Sequence, residues 1–130
     1  MVLQIYVITP DRIFLSEKAE EAILPTNTGL MGVLTNHAPL ITALEIGVML
    51  FRTNKDWIPI ALMGGFALVK KNQITVLVNE AETESTINPK EAEKSFELSK
   101  KQLNEAKDQK QKVEANFAFK RARARYQVIK

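Results

Sequence analysis

The composition of this chain changes at residue 88, and one type of secondary structure cannot account for both sides of the change. All five glycines (29, 32, 47, 64 and 65) and four of the five prolines lie before it. From Asn88 onward Pro89 is the only breaker, and Ala, Glu, Lys, Gln and Arg dominate. These residues lose little freedom on entering a helix, whereas glycine and proline punctuate turns. The chain therefore reads as α+β: an N-terminal β-sandwich of short strands, then a C-terminal antiparallel two-helix hairpin. The division falls at residues 1–83 and 84–130.

In the first part, Leu3, Ile5 and Val7 alternate with Gln4 and Tyr6. That period of two is what a half-buried strand needs. Thr9, Pro10 and Asp11 form a turn, and further apolar runs follow at 21–24, 47–52, 57–63, 66–69 and 74–78. Joints such as Thr26-Asn27-Thr28-Gly29 and Thr53-Asn54-Lys55-Asp56 separate some of them. Many short strands at this spacing predict a sandwich or barrel.

The second part opens with Asn88 as cap, Pro89 at the first helical position and Glu91 in place for a capping box. Ala92, Phe96, Ser99, Leu103 and Ala106 make one narrow stripe, and Ala115, Phe119, Ala122, Tyr126 and Ile129 a second. Their alanines let two backbones approach, so helices over about 88–107 and 112–129 zip together, with Asp108 to Lys112 as the turn. That turn holds no Gly or Pro, so nothing in it forbids a continuous helix of about 63 Å at 1.5 Å per residue. The stripes carry few large side chains, each worth about 1.5–3 kcal/mol when buried. The expectation is an arm that docks marginally and opens.

Charge is divided as unevenly as glycine. Net charge is −2 over residues 1–83, 0 over 84–114 and +5 over 115–130, which leaves +3 for the whole chain. A basic end beside a faintly acidic body implies an acidic partner. With no cysteine and one histidine, His37, the chain has neither a thiolate nucleophile nor a multi-histidine metal site. It also lacks a phosphate loop and a Gly-x-Gly-x-x-Gly turn. No enzyme and no cofactor are expected. The longest apolar stretch, 57–69, is interrupted by Pro59 and Gly64-Gly65 and falls short of the roughly 20 residues of a membrane-spanning helix. The opening residues go straight into a strand pattern with no visible secretory signal.

The segment from Gly29 to Pro39 is the most distinctive. It reads either as a glycine-punctuated connection whose Asn36 and His37 bond the local backbone, or as a docking loop presenting Leu30, Met31 and His37. Met63-Gly64-Gly65-Phe66 reads as a bulge or close backbone approach within a sheet.

Gly32-Val33-Leu34-Thr35-Asn36-His37-Ala38-Pro39, then Ala61-Leu62-Met63-Gly64-Gly65-Phe66 and Ile74-Thr75-Val76-Leu77-Val78, resemble in order and spacing the epsilon subunit of F-type ATP synthases. The stretch Val113 to Tyr126 is similar to the plastid form of green algae. The resemblance implies a non-catalytic central-stalk subunit that couples proton-driven rotation to ATP synthesis. Its sandwich would bind the gamma subunit and rest on the c-subunit ring, with Leu30, Met31, Asn36, His37 and Pro39 at the rotor interface. Its hairpin would inhibit ATP hydrolysis, with Lys120, Arg121, Arg123 and Arg125 facing the alpha/beta catalytic hexamer. It also implies a peripheral place on the stromal side of the chloroplast thylakoid membrane, or else on the cytoplasmic face of a bacterial energy-transducing membrane.

Some bacterial relatives bind ATP at an Ile/Leu-Asp-x-x-Arg-Ala motif, and the matching stretch here is Ile87-Asn88-Pro89-Lys90-Glu91-Ala92. A carboxylate in place of a guanidinium repels phosphate, so no useful ATP binding is expected. Without the resemblance, a basic hairpin binding nucleic acid or an anionic membrane surface would be the competing reading. Few aromatics interleave the basic residues, and the alanine-rich face offers little to insert in lipid, which disfavour it.

Overall fold

The computed structural model describes residues 2–130. Eight strands come first: β1 (Leu3–Thr9), β2 (Arg12–Ala19), β3 (Glu21–Thr26), β4 (Gly29–Leu34), β5 (Leu40–Thr53), β6 (Asp56–Lys70), β7 (Gln73–Val78) and β8 (Ala81–Thr83). A short 3-10 turn, Glu84–Thr86, leads into α1 (Pro89–Glu105) and α2 (Gln109–Ile129).

The strands form one sheet ordered β2-β1-β7-β6-β5-β3-β4, with β8 added on β6. It is folded over into a sandwich. The long strands β5 and β6 belong to both layers, so the separate runs expected at 57–63 and 66–69 are one strand. Beyond Gly65, β6 pairs with β7 (Gly65↔Val78 to Lys70↔Gln73), and before Gly64 it pairs with β8 (Ile60↔Thr83 to Leu62↔Ala81). Two glycines make that passage possible. Gly64 and Gly65 have φ of 82° and 148°, and a Cβ on Gly65 would lie 2.1 Å from the Leu77 carbonyl oxygen. This is the close backbone approach that the Gly-Gly pair predicts.

Two tight turns set the β5–β6 and β6–β7 registers. Asn54 and Lys55, then Lys71 and Asn72, all have positive φ, as two-residue hairpin turns with primed geometry require. The β1–β7 pairing is parallel, with Ile5 beside Ile74. The core between the layers is built from Leu3, Ile5, Val7, Leu24, Val33, Met49, Phe51, Ile60, Leu62, Val69, Ile74 and Val76, all essentially inaccessible.

The first part of the segment read as a connection or a docking loop, Gly29–Leu34, is an edge strand, and residues 35–39 connect it to β5. β4 pairs with β3 from Glu21↔Leu34 to Thr26↔Gly29, burying Val33 and tucking Met31 against the core while Leu30, Gly32 and Leu34 face out. Its turn is held by the Thr26 hydroxyl, which donates to the Gly29 carbonyl at 2.6 Å, and by Gly29 at φ 122°.

The helices also differ from expectation in one place. The turn is Ala106 to Asp108, not Asp108 to Lys112. Ala106 leaves the helical region at ψ 130°, and Asp108 caps α2 by accepting from the Gln111 N–H at 2.8 Å. Gln111 returns its side-chain oxygen to the Lys107 N–H at 3.0 Å, so side-chain capping supplies the break without Gly or Pro. At the start of α1, Asn88 accepts from the Glu91 N–H at 3.1 Å. The Glu91 carboxylate does not complete a capping box but reaches toward Arg125.

Candidate docking surfaces

The sandwich has two outer faces, and the hairpin covers one of them. Both predicted stripes meet, with Phe96 stacked between Phe119 and Tyr126 at ring separations of 5.7 and 4.9 Å. A further contact lay outside those stripes. Ala124 and Val128 pack with Ile87 and with Ala92 of α1 on Ala61 and Met63, flanked by Ile46, Val48 and Ile129. Because 124 and 128 are one turn apart, they form a second face of α2 that seats the hairpin on β5 and β6.

Around this small apolar seat the basic ridge is anchored to carboxylates. Arg121 donates from Nη1 to Glu80 Oε1 at 2.9 Å while its Nη2 lies 2.7 Å from Oε2, a two-pronged pair. Arg125, whose side chain is only 14% exposed, lies with Nε 2.9 Å from Glu82 Oε1 and Nη1 3.4 Å from Glu91 Oε1. Its Nε is fully enclosed and, despite that short distance, lacks the angle of a hydrogen bond. Arg121's donation holds the Glu80 carboxyl below its ordinary value, and Glu80 in turn raises Arg121. Arg123 instead is exposed, its guanidinium 5.3 Å from the Phe119 ring centre, and Lys120 is half-buried. The four basic residues that the resemblance groups together are thus divided: 121 and 125 turn toward the sandwich, and 123 lies outside that seat.

The opposite outer face has no such cover. Pairing across β2, β1, β7, β6 and β5 lines up Ile13, Ile8, Leu77, Phe66 and Ala43 in one row, because directly paired residues point to the same side. The next row holds Ser16, Tyr6, Thr75, Leu68 and Ile41. Neither row contains a charged residue. Ile13, Ile41, Phe66 and Leu77 are 49–73% exposed. Folded proteins seldom leave so contiguous and uncharged an apolar face open to water. Its trace in the sequence is the apolar run 66–69 and the run 74–78 interrupted only by Thr75, since a strand solvated on one side alternates and a strand covered on both does not.

Of the residues assigned to a rotor interface, Leu30 is 77% exposed on β4 and Met31 is half-buried. Asn36, at φ 67°, donates its backbone N–H to the Asn72 side chain at 2.6 Å, which ties this segment to the β6–β7 turn. His37 Nδ1 lies 2.6 Å from the Ala38 carbonyl and must donate to it, so the ring bonds locally. Asn36, Ala38 and Pro39 are exposed, and the segment runs directly into Ile41 of the bare face. Leu30 and Met31 lie on the edge strand β4, and Asn36, His37 and Pro39 on the connection that follows it. Among the described residues no group of three His, Asp or Glu side chains is placed to hold a metal, and no helix is long and apolar enough to cross a membrane.

A β-sandwich carrying a docked helical hairpin and a bare apolar face is the architecture of a subunit that binds other subunits. Residues 2–84 match the family described as ATP synthase, Delta/Epsilon chain, beta-sandwich domain, and residues 85–130 match its long alpha-helix domain. The chain therefore belongs to the ATP synthase delta/epsilon chain family, and it is a non-catalytic subunit of the epsilon type. It is 71% identical over 129 residues to the chloroplastic ATP synthase epsilon chain of Oltmannsiellopsis viridis, covering 99% of this chain and 98% of that one. It is 65% identical to that of Chlorella vulgaris, covering 100% and 97%. A chain in the mitochondrial ATP synthase of Euglena gracilis has the same fold, with a TM-score of 0.81 at 20% identity over 95% of this chain and 78% of that one. A chain of the Tetrahymena thermophila mitochondrial central stalk and c-ring aligns at 0.65 and 14% identity, over 98% and 96%.

Proposed function

We propose that this chloroplast subunit works in the central stalk of the F-type ATP synthase, on the stromal side of the thylakoid membrane. The sandwich binds the gamma subunit and the c-subunit ring through the bare face and the adjoining corner of Asn36, His37 and Pro39, with Leu30 and Met31 at the β4 edge. Turning with them, it couples proton-driven rotation to ATP synthesis. The hairpin inhibits ATP hydrolysis when Lys120, Arg121, Arg123 and Arg125 engage acidic residues of the alpha/beta hexamer. Nucleic acid is not a partner in this reading.

The observation that carries the proposal is the uncharged double row from β2 to β5, which stays open while the other face is occupied by the chain's own hairpin. Replacing Phe66 and Leu77 by Glu puts two charges into that face without touching the core, and should abolish co-sedimentation with a catalytic complex depleted of this subunit. Restoring the depleted complex with the full chain should lower ATP hydrolysis. Truncation after Thr83, or Ala at 121, 123 and 125, should not. Equal hydrolysis in all three cases refutes the braking part, and retained binding of the Glu variant refutes the face.

A further inference from the structure

We propose that the acidic rim of the sandwich, Glu80 and Glu82, together with Glu91 of α1, is an internal competitor for the brake, occupying Arg121 and Arg125 whenever the hairpin is docked. The inference rests on the braking role proposed above. Two of the four basic residues assigned to that role are already committed to carboxylates of the same chain, one through a two-pronged pair and one in a nearly enclosed setting. Docking and braking thus draw on one pair of guanidiniums, so each state excludes the other.

The spacing makes the competition specific. Arg121 and Arg125 stand one helical turn apart, about 5–6 Å. Glu80 and Glu82 are alternate residues near the start of β8, which brings both carboxylates to the same side of the chain at a similar separation. A rival partner must offer carboxylates at that interval, as an acidic helix does at i and i+4. Arg123 lies over Phe119 outside this seat and is free for a first encounter while the hairpin is down. The apolar seat is built largely from small side chains, Ala61, Ala92 and Ala124, with Met63, Ile87 and Val128. The ion pairs therefore carry a substantial share of the docking, and salt screens such pairs.

The test uses the full chain, which contains no cysteine, with one introduced at Ala61→Cys beneath the hairpin or, as a control, at Ala67→Cys in the sandwich core. A bulky thiol reagent reaches position 61 only when the hairpin lifts. Glu80→Gln with Glu82→Gln should raise the trapping rate at 61 roughly tenfold, the size of two partly exposed ion pairs, and leave position 67 unchanged. Raising salt should speed trapping in the parent chain and hardly alter the Gln variant. The charge swap Glu80→Arg with Arg121→Glu should return trapping toward the parent rate. In the depleted catalytic complex the Gln variant should inhibit hydrolysis at lower concentration than the parent chain.

Unchanged trapping in the Gln variant overturns the competitor, as does an equal rise at positions 61 and 67. Faster trapping without stronger inhibition overturns the competition between docking and braking. If no form of the chain inhibits hydrolysis, the braking reading fails, and the trapping data still decide whether the carboxylates hold the hairpin.

Discussion

Val128→Ala isolates the apolar part of hairpin docking. Val128 is 4% exposed and packs on the sandwich with Ala124, outside the stripe that joins the two helices. The substitution removes two methyl groups, about 0.8 kcal/mol each, so docking weakens by about 1.6 kcal/mol while the Phe96, Phe119 and Tyr126 stack between the helices keeps all its atoms. Since 1.4 kcal/mol is a factor of ten, the open fraction should rise about 14-fold. Thiol trapping at Ala61→Cys measures that fraction directly, and the void left by two methyl groups is too small to admit a bulky reagent. A 14-fold rise at position 61 with no change at position 67 is the expected result. A parallel rise at both would mean that the hairpin and sandwich open as one cooperative unit, and would refute the reasoning that the arm is a separately docked element.

Gly65→Ala should be among the most damaging single substitutions. It forces a side chain into φ 148° with its Cβ 2.1 Å from a backbone oxygen, so the β6–β7 ladder must part, at a cost of about 2–4 kcal/mol visible as a lowered thermal midpoint. Asn88→Ala removes the acceptor of the Glu91 N–H and should destabilise the start of α1 by about 1 kcal/mol, read as faster amide exchange in its first turn. The Glu80 carboxyl faces Arg121 and Arg125 of α2 and is depressed below its ordinary value near 4.5 by the Arg121 hydrogen bond. Its share of docking is therefore complete above that value and lost as pH falls through the depressed one. Measured relative to a fully exposed cysteine, which corrects for the loss of reactive thiolate in acid, trapping at position 61 should accelerate on acidification, with a component that Glu80→Gln lacks.

How much of this could be read in the sequence depends on whether the signal was local. The start of α1 was legible because Asn88 and Pro89 act on the next few residues, and the hairpin stripes because helical period is a property of one segment. Thr26 to Gly29 and Thr53 to Asp56 gave joints between strands for the same reason. The role of Gly29 to Leu34 was hidden, since edge-strand status depends on β3, and two glycines in six residues suggest a loop. The break at Ala106 was misplaced because Asp108 and Gln111 end one helix and start the next through side chains common in helices. Least visible was the division of the basic ridge. The positions of Arg121 and Arg125 on one helix face were plain, but which face meets the sandwich depends on Ala124 and Val128, whose neighbours lie some sixty residues away along the chain. The bare face was written in the apolar runs, but only the register of five strands assembles Ile13, Phe66 and Leu77 into one surface.

The passage of β6 through Gly64 and Gly65 has a mechanical consequence. Met63, under the hairpin, and Phe66, on the bare face, are three residues apart on a continuous strand that is hydrogen-bonded on both sides. No linker or hinge domain intervenes between the two surfaces. A twisting load applied at Phe66 reaches the hairpin's seat through backbone already held in a ladder, with little slack to absorb it. The sandwich is in this sense a stiff washer, able to carry torque on one side while an arm folds or lifts on the other.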